Sequence, residues 1–373
     1  MRSSKLVKLV AAIAAMAAIA AVIAGVGVAQ NGKAQAQIKV AMLYPGTAND
    51  GSWSNAWADG AKKAAKQFNV KLTLVNELST PDQYLAQGAA FGSKGYDLVI
   101  LANGIGLDPA QKLAKQFPKT TWCMSPADFP DRVKGPAALA ANSCVAEVEQ
   151  EQGNFRAGVL AGMLTKTNRI AAVNGFAFPA LTRQAEAFYL GAKCVNSKVT
   201  FEQKYINSWT DPALAKAAAT GMISNKADFI LGATDSAVQG AFEAAKGAPR
   251  PTYVIPSYFD SHAQSPTVVI TSVLFNLQGV SYDLIKRFAT KTMPARYFKS
   301  YNFANAGVGK LAPFYSLGNV VTPAARAQLA KVDAGIRSGS ITIPDETVGK
   351  PTIGTAGAAL KIDAKTLGCK PVR

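Results

Sequence analysis

Short apolar runs alternate with longer amphipathic segments over most of the chain. The runs are rich in Val, Ile, Leu, Tyr and Phe, as in YDLVILAN (96–103) and DFILGAT (228–234). The segments between them carry apolar residues at helical spacing, as in SNAWADGAKKAAKQF (54–68). Short strands that alternate with helices are typical of βαβ units, so the pattern predicts an α/β protein with parallel sheets. The predicted strands cover residues 39–45, 70–75, 96–103, 120–125, 169–176, 199–206, 228–234, 251–257 and 267–275.

The strand series divides into two similar halves. The change falls near residues 145–153, and a second series of strands and helices begins at Arg169. With 373 residues, 49% of them hydrophobic, the chain is long enough to bury one large or two medium cores. We therefore expect two lobes.

The first 36 residues have the layout of a secretory signal peptide. Three basic residues precede an apolar run over residues 9–29, and an Ala-Gln-Ala sequence ends at Ala36. The pattern predicts cleavage near Ala36 and an exported, periplasmic protein that begins near Gln37. An uncleaved membrane anchor is the alternative, because a run of this length can cross a bilayer. The run consists mostly of Ala and Gly and lacks a basic stop-transfer flank, which favours the signal peptide.

The chain is basic, with a formal net charge of +17. Residues 1–36 contribute four of the cations and no acid, so the remainder carries +13. These cations are scattered as single residues and pairs, without the clusters that follow a phosphate backbone. We expect a solvated basic face rather than a nucleic-acid site, with acidic lipid headgroups or an acidic partner as further candidates.

Four cysteines, Cys123, Cys144, Cys194 and Cys369, fit no zinc or redox motif by their spacing. In an exported protein they predict two disulfides. The pairs nearest in sequence are Cys123 with Cys144 and Cys194 with Cys369, but all three connectivities remain open.

Few residues suit catalysis. The one histidine in the sequence, His262, is predicted to be an exposed loop residue rather than a catalytic base. Asn103-Gly104-Ile105-Gly106 lacks the third glycine of a dinucleotide-binding fingerprint, and no Walker loop is present. Acidic residues are scarce and unpaired, which disfavours a two-carboxylate glycosidase. We expect no catalytic residue, no metal and no cofactor.

Aromatic and polar residues gather instead at the carboxyl ends of the predicted strands, the edge where open α/β sheets bind ligands. Aromatic rings from two lobes can enclose a flat ring, while Asp and Asn side chains bind its polar atoms. The candidates are Asp50 and Trp53 after the first strand, Asn103 after the third, Phe176 and Phe178 at the first strand of the second half, and Thr234, Asp235 and Asp260 after later strands.

A structural role is the alternative for several of these candidates. Trp53 and Phe178 are then core residues, Asp50 caps the following helix, and Asp260 serves a turn. The small polar residues around Trp53 favour ligand contact for that side chain. Asp50 can both cap the helix and contact a ligand.

Several segments resemble the basic membrane protein family of ABC-transporter solute-binding proteins, also called purine nucleoside receptor-like proteins. They include NDGSWSNAWADGAKKAA (49–65), EQGNFRAGVLAGMLTK (151–166) and ADFILGATDSAVQGAFEAAK (227–246). The resemblance extends from about Lys39 to Leu317. It implies a periplasmic-binding-protein type I fold, in which two Rossmann-like lobes are joined by three crossovers and close over a ligand. The implied domains are lobe I over 37–150 and 270–303, and lobe II over 151–269 and 304–373.

The resemblance also implies roles for the candidates. Asp50 and Trp53 match an acid and a base-stacking aromatic residue, Phe178 matches the second stacking side, and Asn103 matches a polar contact. The loop from Gly232 to Asp235, including Thr234, matches a backbone contact near the ring, and Asp260 matches an acid that holds ribose. Phe275 stands where many relatives have Lys, so that a free purine base or another small aromatic solute also fits.

The resulting hypothesis is a periplasmic solute receptor for a purine nucleoside, a purine base or a similar ring compound. Its expected partners are the small-molecule ligand and an inner-membrane ABC permease, with no nucleic acid, and the protein is expected to be a monomer. An exported enzyme that acts on nucleosides or sugars and a ligand-sensing partner of a membrane receptor are the alternatives.

Overall fold

Two six-stranded sheets organise the computed structural model, which describes residues 36–125 and 136–343. The first sheet has the order β11-β5-β4-β3-β1-β2, and all its pairs are parallel. The second has the order β12-β10-β9-β8-β6-β7, and its one antiparallel pair joins β10 and β12. The strands are β1 (Lys39–Leu43), β2 (Lys71–Val75), β3 (Leu98–Leu101), β4 (Thr121–Met124), β5 (Ser143–Val148), β6 (Arg169–Asn174), β7 (Thr200–Tyr205), β8 (Phe229–Ala233), β9 (Tyr253–Tyr258), β10 (Val273–Leu274), β11 (Tyr297–Tyr301) and β12 (Lys310–Leu311).

Helices fill most of the connections between these strands. Several begin at side chains that satisfy free backbone amides: Thr80 forms a capping box with Gln83, and Asp211 accepts bonds from the amides of residues 213 and 214. The helices are α1 (Trp53–Gln67), α2 (Pro81–Ser93), α3 (Leu107–Gln116), α4 (Gln150–Leu164), α5 (Pro179–Val195), α6 (Pro212–Ser224), α7 (Val238–Lys246), α8 (Leu277–Ala289), α9 (Phe303–Ala306) and α10 (Pro323–Ser338).

The chain passes between the two sheets three times. It leaves the first sheet after β5, returns after β10 to add β11, and enters the second sheet again at β12. These passages confirm the expected α/β fold with three crossovers. In each sheet the first strand of the half, β1 or β6, lies between the next two strands along the chain. The strand order therefore reverses there, which is the position where open α/β sheets leave a crevice for a ligand.

The strand predictions are confirmed for β1 to β4 and for β6 to β9. Each of these eight strands falls within, or within one residue of, its predicted run. The run predicted over 267–275 is mostly irregular: only Val273–Leu274 forms a strand, and Val269 makes an isolated bridge to Val254. β5, β11 and β12 were not predicted. The lobe boundaries stay predictions, except that β10 pairs with the second sheet although the boundary at 270 assigned it to lobe I.

A disulfide between Cys123 and Cys144, one of the pairings that the sequence left open, links the neighbouring strands β4 and β5, where the two residues are in register. Cys194 is buried in α5, and its predicted partner Cys369 lies outside the described residues. The predicted signal peptide also lies outside them, apart from Ala36. Within residues 36–125 and 136–343, every helix is too short or too polar to cross a membrane.

Candidate functional site

A cavity of about 230 Å³ opens at the carboxyl ends of strands from both sheets. Its wall combines aromatic rings with a few amide and carboxyl groups, the usual composition of a small-molecule site. Residues from the segments that follow β1, β3, β5, β6, β7 and β8 meet there, together with the last residue of β9. They are Pro45, Trp53, Asn103, Gly104, Ile105, Gln150, Phe178, Ala180, Leu181, Gln184, Trp209, Asp235 and Tyr258.

Trp53 is the first residue of α1 and lines the cavity from the side of the first sheet. Its Nε1 donates a hydrogen bond of 2.7 Å to the carbonyl of Ala102, at the end of β3. Its ring meets Tyr258 of the second sheet edge-on, with 5.3 Å between the ring centroids. Trp57, one turn later, is fully buried and packs beside it. Trp53 therefore both lines the cavity and connects the two halves of the chain.

The opposite aromatic wall comes from the second sheet. Phe176 and Phe178, in the loop after β6, stack on each other with centroids 5.5 Å apart and ring planes 10° apart. Trp209, in the loop after β7, packs against both rings, at 5.0 Å from Phe176 and 6.1 Å from Phe178. A Cβ at Gly175 would lie 2.3 Å from the Trp209 ring, so this approach requires glycine. Phe178 and Trp209 line the cavity, and Phe176 supports them from behind.

Asp235 brings a buried carboxyl group to the wall from the loop after β8. Ser52 Oγ donates a hydrogen bond of 2.9 Å to Asp235 Oδ1, and the Trp53 backbone amide also donates to this carboxyl group. Ser52 directly precedes α1 and Trp53 is its first residue, so these bonds join the first half of the chain to the second. Burial, followed by repulsion from Asp50, raises the pKa of Asp235 to about 7.

Two of the cavity residues hold a strained backbone. Asp235 has a φ of 47° and Tyr258 a φ of 82°, in the left-handed region that favours glycine. Such strain costs about 1–3 kcal/mol per residue and persists only where the surrounding contacts hold it. Here those contacts are Ser52 for Asp235, and Trp53 and Phe275 for Tyr258.

Polar groups from the other walls complete the cavity. Asn103, after β3, accepts a hydrogen bond from the amide of Ile105 through its Oδ1. Gln150 begins α4 and Gln184 lies in α5, and the Gln184 Nε2 donates both to Gln150 Oε1 and, at 3.3 Å, to the hydroxyl of Tyr258. The cavity thus offers amide donors and acceptors together with one carboxyl group of raised pKa.

The predicted site residues are only partly brought together. Trp53, Asn103, Phe178 and Asp235 line the cavity. The carboxyl group of Asp50 accepts bonds from the backbone amides of Ser52, Ser54 and Asn55, so it organises the start of α1. These bonds show the helix-start role that the sequence offered as the alternative to ligand contact.

The remaining candidates lie around the cavity rather than on its wall. Gly232 and Asp50 face a separate small cavity of about 30 Å³, and Thr234 is buried beside Asp235. Asp260 accepts a hydrogen bond of 2.5 Å from the hydroxyl of Tyr315. Ligand contact for Asp50, Phe176, Gly232, Thr234 and Asp260 stays a prediction. Phe275 is fully buried and packs against Tyr258.

His262 is half-buried rather than exposed. Its ring stacks on Tyr315, with 4.3 Å between the ring centroids, and its Nδ1 lies 3.2 Å from the carbonyl of Val269.

Trp209, Gln150 and Gln184 are among the lining residues that the sequence patterns missed. Trp209 lies four residues beyond β7, and its one signal was an aromatic residue in a loop at the carboxyl end of a strand. Gln150 and Gln184 lie in helices, where a polar residue is normally a solvated one. Their relevance depends on the packing of α4 against α5, which no local pattern reveals.

The raised pKa of Asp235 predicts a specific pH dependence of stability. The folded state holds this proton up to about pH 7, whereas an aspartate carboxyl group in an unfolded chain has an ordinary pKa of 3.8. The stabilisation is present below about pH 4 and is lost as the pH rises toward 7. In urea unfolding, this group should lower the free energy of unfolding of the wild type by roughly 2 kcal/mol between pH 5 and 7. Asp235→Asn should lack this decrease. The exposed Asp108→Asn serves as the control, and parallel profiles for wild type and Asp235→Asn would contradict the assignment.

Comparisons with known proteins identify similarity to substrate-binding proteins of ABC transporters. A family model described as ABC transporter substrate-binding protein, PnrA-like, matches residues 37–345. An ABC transporter nucleoside-binding protein of Lactococcus lactis subsp. cremoris is 24% identical over 85% of this chain and 92% of its own length. A purine-binding protein of Brucella abortus is 24% identical over 84% of this chain and 86% of its own.

A solved structure supports the fold. The chain aligns with an ABC transporter solute-binding protein from Aeropyrum pernix K1 with a TM-score of 0.71, over 82% of this chain and 94% of the other. The sequence identity is 18%, so this likeness concerns the fold alone.

Proposed function

This chain belongs to the Bmp family of PnrA-like ABC transporter substrate-binding proteins, and we propose that it binds a purine nucleoside, a purine base or a similar small ring compound. The observation that carries the proposal is the cavity itself. Aromatic rings face it from both sheets, through Trp53 on one side and through Phe178 and Trp209 on the other. A flat heteroaromatic ring offers two faces for such contacts and polar edges for the amide and carboxyl groups.

The size of the cavity supports a small ligand. At about 230 Å³ it lies below the range of about 300–1,000 Å³ typical of pockets for drug-sized compounds. The relatives described as nucleoside-binding and purine-binding support the same chemical class.

The proposed mechanism is closure of the two halves over the ligand. Trp53 and Asn103 come from the first half of the chain, and Phe178, Trp209 and Asp235 from the second. A ligand that touches both sets binds the closed arrangement more tightly than an open one, so it shifts the population toward closure. The Ser52–Asp235 hydrogen bond and the Trp53–Tyr258 contact belong to the closed arrangement.

We further propose that the protein works outside the cytoplasm as a monomer and delivers its ligand unchanged to an inner-membrane ABC permease. The family of substrate-binding proteins supports this role. If the protein were instead an exported enzyme that used the same cavity, it would convert the ligand. Recovery of the intact ligand therefore distinguishes a binding protein from an enzyme.

The test is calorimetric titration with adenine, hypoxanthine, adenosine, inosine and guanosine, followed by denaturation and mass analysis of the released compound. The proposal expects saturable binding of at least one compound and its recovery unchanged. Binding of none of them would refute the ligand class, and recovery of a cleaved or altered compound would support the enzyme.

Trp209→Leu gives a sharper version of this experiment. Trp209 is half-buried, so the change should leave the fold intact while removing a stacking partner. Base–aromatic stacking is worth about 1–3 kcal/mol, which predicts an affinity loss of about 5- to 150-fold. Phe314→Leu, another half-buried aromatic residue that packs on Arg326 away from the cavity, should bind like the wild type. Equal affinity in the two variants would exclude Trp209 from the site.

A further inference from the structure

Two glutamine side chains in the cavity wall form an amide pair, and each of them has one polar atom without a hydrogen-bond partner within the described residues. Gln150, at the start of α4, and Gln184, in α5, are joined by a hydrogen bond from Gln184 Nε2 to Gln150 Oε1. Both side chains are almost fully buried, with 1% and 0% of their surface exposed. We propose that this pair binds one edge of a flat heteroaromatic ligand, an edge that carries a hydrogen-bond donor next to an acceptor.

The pair leaves one donor and one acceptor unused. Gln150 Nε2 and Gln184 Oε1 are buried and have no hydrogen-bond partner within the described part of the chain. Buried polar atoms in proteins are nearly always paired, so two orphan atoms on adjacent side chains require an explanation. Both residues line the cavity, and a ligand there supplies the missing partners.

Rotation of the amide groups does not alter this conclusion. Both groups can turn by 180° together and still share one hydrogen bond. If both are turned, Gln184 Oε1 accepts from Gln150 Nε2, and the spare atoms become Gln150 Oε1 and Gln184 Nε2. The pair presents one donor and one acceptor in either case.

The scaffold behind the pair is rigid. α4 and α5 pack so closely that a Cβ at Gly158 would lie 1.9 Å from the carbonyl oxygen of Phe188, and one at Gly191 would lie 1.9 Å from that of Phe155. Such an approach fixes the relative position of the two helices. The pair is therefore held in place before a ligand arrives, which favours selective binding.

Ion pairs and a tyrosine hold the same region from two sides. Arg183, next to Gln184, is paired with Glu147 at 3.0 Å and with Glu151 at 3.5 Å. The hydroxyl of Tyr258 accepts the second bond from Gln184 Nε2. These contacts fix the position of Gln184 relative to α4, β5 and β9.

The chemistry of the pair defines the ligand class, given that the proposed function is correct. A 6-oxopurine carries a ring N–H beside a carbonyl oxygen, and a 6-aminopurine carries an amino group beside an acceptor nitrogen. Both edges match one donor and one acceptor on the protein. A purine without a 6-substituent has no donor at this edge, so the pair discriminates against it.

The experiment compares three ribosides: inosine, adenosine and purine riboside, which lacks the 6-substituent. The matched compounds 9-methylhypoxanthine, 9-methyladenine and 9-methylpurine test the same edge without ribose. In both sets position 9 is blocked, so that the second donor–acceptor edge of a free base does not interfere. We expect the wild type to bind at least one 6-substituted compound about tenfold or more tightly than the unsubstituted one.

Gln184→Met and Gln150→Met keep side chains of similar length and should each reduce this preference to less than about threefold. Gln116→Met, at the exposed end of α3, is the control and should retain the full preference. The ratio of affinities within one variant does not depend on the folded fraction, and if one variant fails to fold the other gives the same readout. Retention of the full preference in a folded variant would overturn the inference. Failure of the wild type to bind any purine compound would instead refute the proposed function.

Discussion

Trp53→Ala is expected to lower the free energy of unfolding by about 3–5 kcal/mol and to abolish measurable ligand binding. Trp53 is 7% exposed, bonds to the Ala102 carbonyl and packs against Trp57 and Tyr258. Its removal leaves a cavity between the two halves of the chain and takes away one aromatic face of the site. Urea unfolding measures the first effect, and calorimetric titration measures the second.

Trp53→Phe separates the two consequences. Phenylalanine keeps an aromatic ring but cannot donate to the Ala102 carbonyl, so we expect a smaller stability loss of about 1–3 kcal/mol. Binding should then be weakened but measurable. If Trp53→Phe were as destabilised as Trp53→Ala, the hydrogen bond rather than the ring would be the main contribution of this residue. Unchanged affinity in both variants would remove Trp53 from the site.

Arg183→Met is expected to have a destabilising effect of similar size, about 3–5 kcal/mol at pH 7. Arg183 is 1% exposed and is the cation between the buried carboxylates of Glu147 and Glu151. Methionine fills much of the space but removes the guanidinium group that pairs with both buried carboxylates. Urea unfolding of the variant and the wild type at pH 7 measures this loss.

Two further variants make the Arg183 result interpretable. Adding Glu147→Gln and Glu151→Gln to Arg183→Met should recover part of the stability, since the buried charges are then gone. Lys62→Met, which breaks an exposed pair with Asp59, should be indistinguishable from the wild type. If Arg183→Met were as stable as the wild type, the ion cluster would not hold α4 and α5 as described.

The central part of the fold was predictable because its strands are buried on both faces. β1, β3 and β8 are short apolar runs bounded by polar segments, and such runs leave little choice between strand and loop. β5 escaped prediction although it is fully buried, because Glu147 interrupts its apolar pattern. The partner that makes this acid acceptable is Arg183, 36 residues away, and sequence spacing does not reveal such a pair.

β11 and β12 were missed for different reasons. β11 is an edge strand in which the half-buried positions include the polar residues Lys299 and Ser300, and Lys299 is paired with Asp283 on α8. β12 has only two residues, so it has no periodicity to detect. Conversely, the apolar run over 267–275 forms only a short strand, since the chain there packs beside β9 without continuous pairing.

The candidate site followed from one topological rule more than from any motif. The rule that ligands bind beyond the carboxyl ends of parallel strands selected Trp53, Asn103, Phe178 and Asp235, all of which line the cavity. It could not distinguish a side chain that faces the cavity from one that organises the adjacent backbone, as Asp50 does. The rule also does not predict Gln150 and Gln184, because helix packing rather than strand order brings these residues to the cavity wall.

The most direct test of the central claim is a crystal structure of the protein with the purine compound that binds most tightly. The account predicts electron density for the ring in the cavity, within about 4 Å of Trp53 on one side and of Phe178 or Trp209 on the other. Density for the ring at any other place, with this cavity empty or filled only by water, would contradict the account.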